Sequence, residues 1–145
     1  MKDPAVAVKD FLVAAGIGSF GGSSAFSIFI GQPPDKPDAL VLVNVTGGMT
    51  PEARILLNYP SVQVMVRGAP SGYMAASNLI YNSVVKNLLG MNPTISGNDM
   101  YRSCIQIGDV AYLGQDSNTR PMFSANFRFF VEPEAVAGSH RVTIT

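Results

Sequence analysis

Charge is scarce in this chain. Only 14% of its 145 residues are charged, against about 25% in an average domain. A surface with so little charge favours burial against partners. Ten basic and ten acidic residues cancel to a net charge of zero, which removes the electrostatic footprint of a nucleic-acid or acidic-membrane binder. Cysteine occurs once, at Cys104, and histidine once, at His140. One cysteine makes no internal disulfide and no secreted disulfide framework. A Ser-His-Asp or Cys-His site would have to use His140, and no base and orienting group stand near it at a recognisable spacing. One histidine and one cysteine do not build a usual zinc site. The acids are scattered over turns and termini, and no pair stands out as a general acid and base. No phosphate loop with its lysine and no acidic metal loop is present. The expectation is a protein without catalytic, cofactor-binding or metal-binding residues, and not an enzyme.

Long hydrophobic runs are missing too. The start, MKDPAVAVKDFLVAAG, carries Asp3, Lys9 and Asp10 in its short apolar stretch. That makes a poor signal peptide and is too short to span a bilayer. A soluble chain assembled in a cytoplasm, with no membrane partner, is expected. Its length suggests one domain over residues 1–145.

What is present is a sequence of strand and helix patterns. Asp3 and Pro4 read as an N-cap and first helical position, opening a helix over about 4–15. Val6, Phe11, Leu12 and Val13 recur along it, and Gly16 ends it. AFSIFIG at 25–31 reads as a strand with Phe26, Ile28 and Ile30 on one face. QPPDKPD at 32–38 is irregular, because three prolines remove donors. ALVLVNV at 39–45 is a strand buried on both faces. Residues 46–61 are a connection with a helical turn expected at 51–57. SVQVMVRG alternates Val62, Val64 and Val66 against Gln63, Met65 and Arg67. The longest helix runs over about 70–89, with Ala76, Ile80, Val84 and Leu88 repeating at i+4 and Gly90 closing it. A β-meander follows over about 100–132: a strand to Ile107, a hairpin turn at Gly108-Asp109, a strand at 110–115, a turn at 116–121, and a long strand. In that last strand Phe123, Ala125, Phe127, Phe129 and Val131 share one face. The tail at 133–145 is loop-like, and RVTIT is either a disordered end or a strand that adds to a neighbour.

GIGSFG at 16–21 matches the dinucleotide fingerprint G-x-G-x-x-G. That motif needs a strand before it and a helix after it, so that a pyrophosphate meets a helix N-terminus. Here a helix precedes and a strand follows. The glycines read better as a helix end and a helix-to-strand loop.

Three stretches then carry a family resemblance. They are GQPPDKPDALVLVNVTGG; YPSVQVMVRG with Tyr73 and Ala76 in a helix closing on LLG; and LGQDSNTRPMFSANFRF with Asp116, Arg120-Pro121 and Phe123-Ser124. Over about residues 31–131 their order and spacing resemble the siphophage minor capsid and tail-terminator family. The resemblance implies an α+β fold: a mixed, mostly antiparallel sheet with two helices packed on one face. It implies a homohexameric ring at the head-proximal end of a long non-contractile tail. Such a ring stops tube polymerisation, joins the tail to head-completion or neck proteins, and lets DNA pass without specific binding. The family has no catalytic residues to carry over.

With that reading, Arg67, Tyr73, Asp116, Arg120 and Arg128 are candidate subunit-interface residues. Arg67 and Arg128 project opposite the apolar strand faces, where the simpler reading is a solvated face. Charge reversal at either is expected to impair assembly and spare the fold. Gly18, Phe20, Gly21, Gly47 and Gly48 are candidates for loops that order on assembly, as is QPPDKPD. The alternatives are another tail-tube or neck ring protein of the same particle, and a small-ligand module using GIGSFG.

Overall fold

The structure is a computed structural model that describes residues 1–20 and 26–144, without the side chains of Ser19 and Phe20. The chain opens with α1 (Pro4–Ala14). The Asp3 carboxylate accepts the Ala5 N–H at 2.9 Å, and proline follows it, as the cap reading requires. Gly16 ends the helix at φ 78°, and the Ile17 N–H bonds back to the Leu12 carbonyl. The buried residues are Ala5, Ala7, Val8 and Leu12, whereas Val13 is exposed. Small alanines let the helix lie close on the sheet, so the buried stripe passes through them and leaves out part of the bulky set.

Among the described residues the sheet has seven strands: β1 (Ser19–Phe20), β2 (Ser27–Ile30), β3 (Leu40–Met49), β4 (Tyr59–Arg67), β5 (Thr94–Ser96), β6 (Asp99–Gln115) and β7 (Pro121–Glu132). Their order is β1-β2-β3-β4-β7-β6-β5. The β1–β2 and β2–β3 pairs are parallel and the rest antiparallel, which makes the sheet mixed and mostly antiparallel. Val62, Val64 and Val66 lie opposite Phe127, Ala125 and Phe123, and all six are buried. They join Val8, Leu12, Ile80, Val84 and Leu88 in one cluster, so strand alternation and helix stripe meet in a shared core. Leu40 to Val43 are all buried, as the continuous apolar run predicts.

The central helix is broken into α2 (Tyr73–Leu79), a π-helical turn (Ile80–Val84) and α3 (Val85–Leu88). Its i+4 stripe of Ala76, Ile80, Val84 and Leu88 is fully buried. A strict i+4 repeat drifts around a helix of 3.6 residues per turn. The wider turn, in which the Val85 N–H reaches the Ile80 carbonyl, holds that stripe toward the sheet.

Three expectations are corrected. The Gly108-Asp109 hairpin does not form, and β6 continues past it beside β7. Ile107 pairs with Asn126 and Ala111 with Ser124, so residues 108–110 bulge out with Gly108 at φ 72°. A left-handed glycine serves a bulge as readily as a turn. The hairpin in this region instead joins β5 to β6 through Gly97 and Asn98. Second, Gly47 and Gly48 lie within β3, which continues to Met49 through a bulge. Third, no helical turn forms at 51–57. There Ile55 makes a lone parallel bridge to Val142, which ties down the C-terminal segment. Arg141 reinforces it by donating to the Ile55 and Leu57 carbonyls and to Asn58 Oδ1. Asp99, also buried, joins the two ends of the chain by accepting the Lys2 and Glu134 backbone N–H groups.

Candidate functional site

Arg67, Asp116 and Arg120 converge at one end of the sheet, around the loop at 32–38. Arg67 is 4% exposed, which overturns the expectation of a solvated arginine. The β4 register carries its side chain under the proline loop. Its Nε donates to the Asp38 carbonyl at 2.9 Å. Its Nη2 donates to the carbonyls of Pro34, Asp35 and Pro37 at 2.8, 3.1 and 2.9 Å. A proline-rich loop has few N–H groups of its own and many carbonyls, and one guanidinium satisfies four of them. Burial, and then the neighbouring Arg120 charge, lower the Arg67 pKa from its ordinary value.

Arg120 is also buried. It donates to Asp116 Oδ2 at 2.7 Å, to the Asp35 carbonyl at 2.6 Å, and to Asp38 Oδ1 at 3.2 Å. Asp116 in turn accepts the Asn118 and Arg120 backbone N–H groups, which fixes the β6–β7 turn. Burial pulls the Asp116 pKa up, but these N–H groups and the Arg120 guanidinium outweigh it and leave the pKa lowered. The loop at 32–38 is therefore held by the folded chain itself, against the expectation that it orders only on assembly.

Tyr73 stands half-exposed at the start of α2. Its ring packs edge-on against Tyr112 at 5.2 Å and Phe123 at 5.1 Å. Met74 and Leu113 are exposed beside this aromatic group in sequence. Arg128 lies apart from all of these. It is half-buried in the middle of β7, paired across strands with Ser61 and Ile105, and its Nε is buried without a partner among the described residues.

Gly18 has no room for a side chain, because a Cβ there would collide with the Phe26 carbonyl. Gly48, at φ 133°, would collide likewise with the Tyr59 carbonyl. Both glycines serve close backbone approach within the chain. Phe20 lies in β1, its side chain undescribed, and Gly21 lies outside the described residues. The sequence reading missed Tyr112, Asp35 and Asp38. The signal for the two acids was present, since QPPDKPD sets them on either side of Lys36.

Among the described residues no group of three or more His, Cys, Asp or Glu side chains could hold a metal ion. Cys104 is buried, and burial pushes its thiol up to about 12. No described helix is long and apolar enough to cross a membrane. A mostly apolar groove of about 460 Å³ is lined by Met1, Pro4, Val45, Met49, Pro51 and Tyr59 with their neighbours.

No curated protein matches the chain in sequence. Among solved structures, a chain of the virion of a native gene transfer agent particle has a similar fold. It superposes with a TM-score of 0.61 at 14% identity, over 90% of this chain and 95% of that one. The family profile described as bacteriophage tail terminator protein matches residues 11–133. That match spans the sheet, the end of α1, the central helix and the arginine-held loop, and the chain belongs to the bacteriophage tail terminator family, structural proteins of the virion.

Proposed function

We propose that this chain is the ring subunit that ends a long non-contractile phage tail at its head-proximal side. The observation that carries the reading is the family match over residues 11–133. In this reading the chain is a single domain with two helices on one sheet face, and six copies close into a ring. The ring stops the tail-tube protein from adding further copies and offers its other side to a head-completion or neck protein. It is assembled in the host cytoplasm and uses no cofactor. Support comes from a shared core running from Ala5 to Val131. Exposed apolar side chains such as Met49, Met74, Tyr112 and Leu113, in a chain with few charges, also support it. In this reading DNA crosses the lumen without specific binding, and the zero net charge is compatible with that.

The test is to mix the purified chain with polymerising tail-tube protein and measure tube lengths by electron microscopy. Short tubes with one capped end are expected. Tubes that grow unaltered beside a persistently monomeric chain would overturn the reading.

The runner-up is a tube or neck ring protein elsewhere in the particle. It draws on the fold shared with a chain of a gene transfer agent virion. A tube protein would polymerise alone into long tubes, whereas a terminator stops at one ring.

A further inference from the structure

Among the described residues the sheet leaves two stretches of strand edge open, on opposite sides and at the same height. On one side β2 pairs with β3 only from Leu40 to Val43. The Gly31 N–H then turns to the Asn44 side chain at 3.1 Å, and the chain leaves the sheet. From Val45 to Met49 the strand is exposed, and no described strand lies along that edge. On the other side β5 covers β6 only at Asp99, Met100 and Tyr101. Beyond them the Gly90 N–H donates to the Cys104 carbonyl at 3.0 Å. That bond turns the Cys104 backbone away from β7 and fills its carbonyl, so the edge of β6 stays open only past Cys104. Alternation along the strand turns the Gln106 backbone the same way and the Ile105 backbone toward β7.

The pairing registers fix the heights. One row across the sheet reads Asn44, Gln63, Asn126, Ile107, and the next reads Val45, Val62, Phe127, Gln106. The open part of β3 is therefore level with β6 around residues 105–107. Three antiparallel pairings separate the two strands, so they run in opposite directions. Rotation about an axis parallel to the strands brings one copy's β3 edge beside the next copy's β6 edge, antiparallel and in line. This is the head-to-tail contact that closes rings.

The two edges also match in chemistry. Neither Asn44–Met49 nor Ser103–Ile107 contains a charged residue or a proline, the usual protection of a free edge. Val45, Met49 and Ile105 are exposed apolar side chains on them. The 460 Å³ apolar groove borders the β3 edge. On the β6 edge Gln106 Nε2 is buried without a partner among the described residues.

We propose that the sheet continues from copy to copy, with residues 44–46 of β3 in one copy pairing antiparallel with residues 105–107 of β6 in the next. The inference rests on the ring reading above and names the surface that closes the ring. In this arrangement Thr46 and Ile105 face each other at a position where backbone groups turn away, the geometry in which directly opposed cysteines can bridge.

The test is the double variant Thr46→Cys with Ile105→Cys, in a Cys104→Ala background, oxidised after mixing with tail-tube protein. A ladder of disulfide-linked oligomers is expected, and none from a Thr46→Cys, Asn82→Cys control. Rings without a ladder would overturn the edge pairing and leave the ring reading standing. Absence of rings from the wild-type chain would overturn both. A second measurement uses the wild-type chain and so survives a variant that fails to fold. Amide exchange at Val45 and Gln106, whose backbones face the new partner, should slow at least about tenfold on assembly. Unchanged exchange there in rings would also refute the pairing.

Discussion

Replacing Arg67 with methionine keeps the volume of the side chain and removes every donor. The guanidinium holds four loop carbonyls at 2.8 to 3.1 Å. A hydrogen bond to a charged group nets about 1.5–3 kcal/mol, and a buried polar group left unsatisfied costs about 1–3 kcal/mol. The four bonds share one group, and the loop at 32–38 can peel away and let water reach its carbonyls, so they do not add. A net loss of about 3 kcal/mol is expected. For a chain of this size each kcal/mol lowers Tm by about 2–4 °C, so Arg67→Met should melt about 6–12 °C below wild type. Arg67→Lys offers a point charge in place of a planar fork, and should fall between the two. The assay is thermal unfolding followed by circular dichroism, with sizing to confirm that the variant remains folded at 20 °C. A drop in Tm of less than about 2 °C would mean that the loop is not tied to β4 as described. Charge reversal at Arg67 should for the same reason damage the fold, whereas Arg128→Glu acts on a half-buried side chain of β7 outside that loop.

Gly48→Ala places a Cβ against the Tyr59 carbonyl in a left-handed backbone, and should cost about 1–3 kcal/mol in chemical denaturation. Phe127→Ala opens the centre of the core between Val62 and Gln106, and should lose about 3–5 kcal/mol in the same experiment. The Asp10 pKa is held below 3.8, first by its bond from Lys2 and then by that from Lys9. Its folded value lies under its unfolded one, so its contribution is complete above the unfolded pKa and is lost as pH falls through the folded value. Stability should be flat from pH 8 to about 5 and fall below about pH 4, with a shallower acid limb in Asp10→Asn. Common nucleotides should leave Tm unchanged, since a site filled at a hundred times its Kd would add about 2.7 kcal/mol.

Local chemistry made much of this fold legible. The alternation of Val62, Val64 and Val66, the Phe123 to Val131 face and the i+4 stripe of the central helix each landed on the core. These signals repeat several times within one element, so neighbouring errors cancel. The Gly108 bulge was not legible. A left-handed glycine fits a hairpin and a bulge equally, and only the partner strand decides between them. The buried alanines of α1 were hidden for another reason, since their burial depends on how closely the helix approaches the sheet. Arg67 shows the limit for site residues. Its polarity and strand position were readable, but its partners lie 29 to 33 residues away in sequence, in a loop whose path no pattern in β4 reveals. The open edges of β3 and β6 are likewise a property of strand order and length, which the sequence spells out only after folding.

The central claim is a place in the particle. A particle image in which this subunit carries a label tests it most directly. The account predicts one ring of label at the junction between head and tail, with none along the tube. Label spread along the tail, or confined to its distal end, would contradict it.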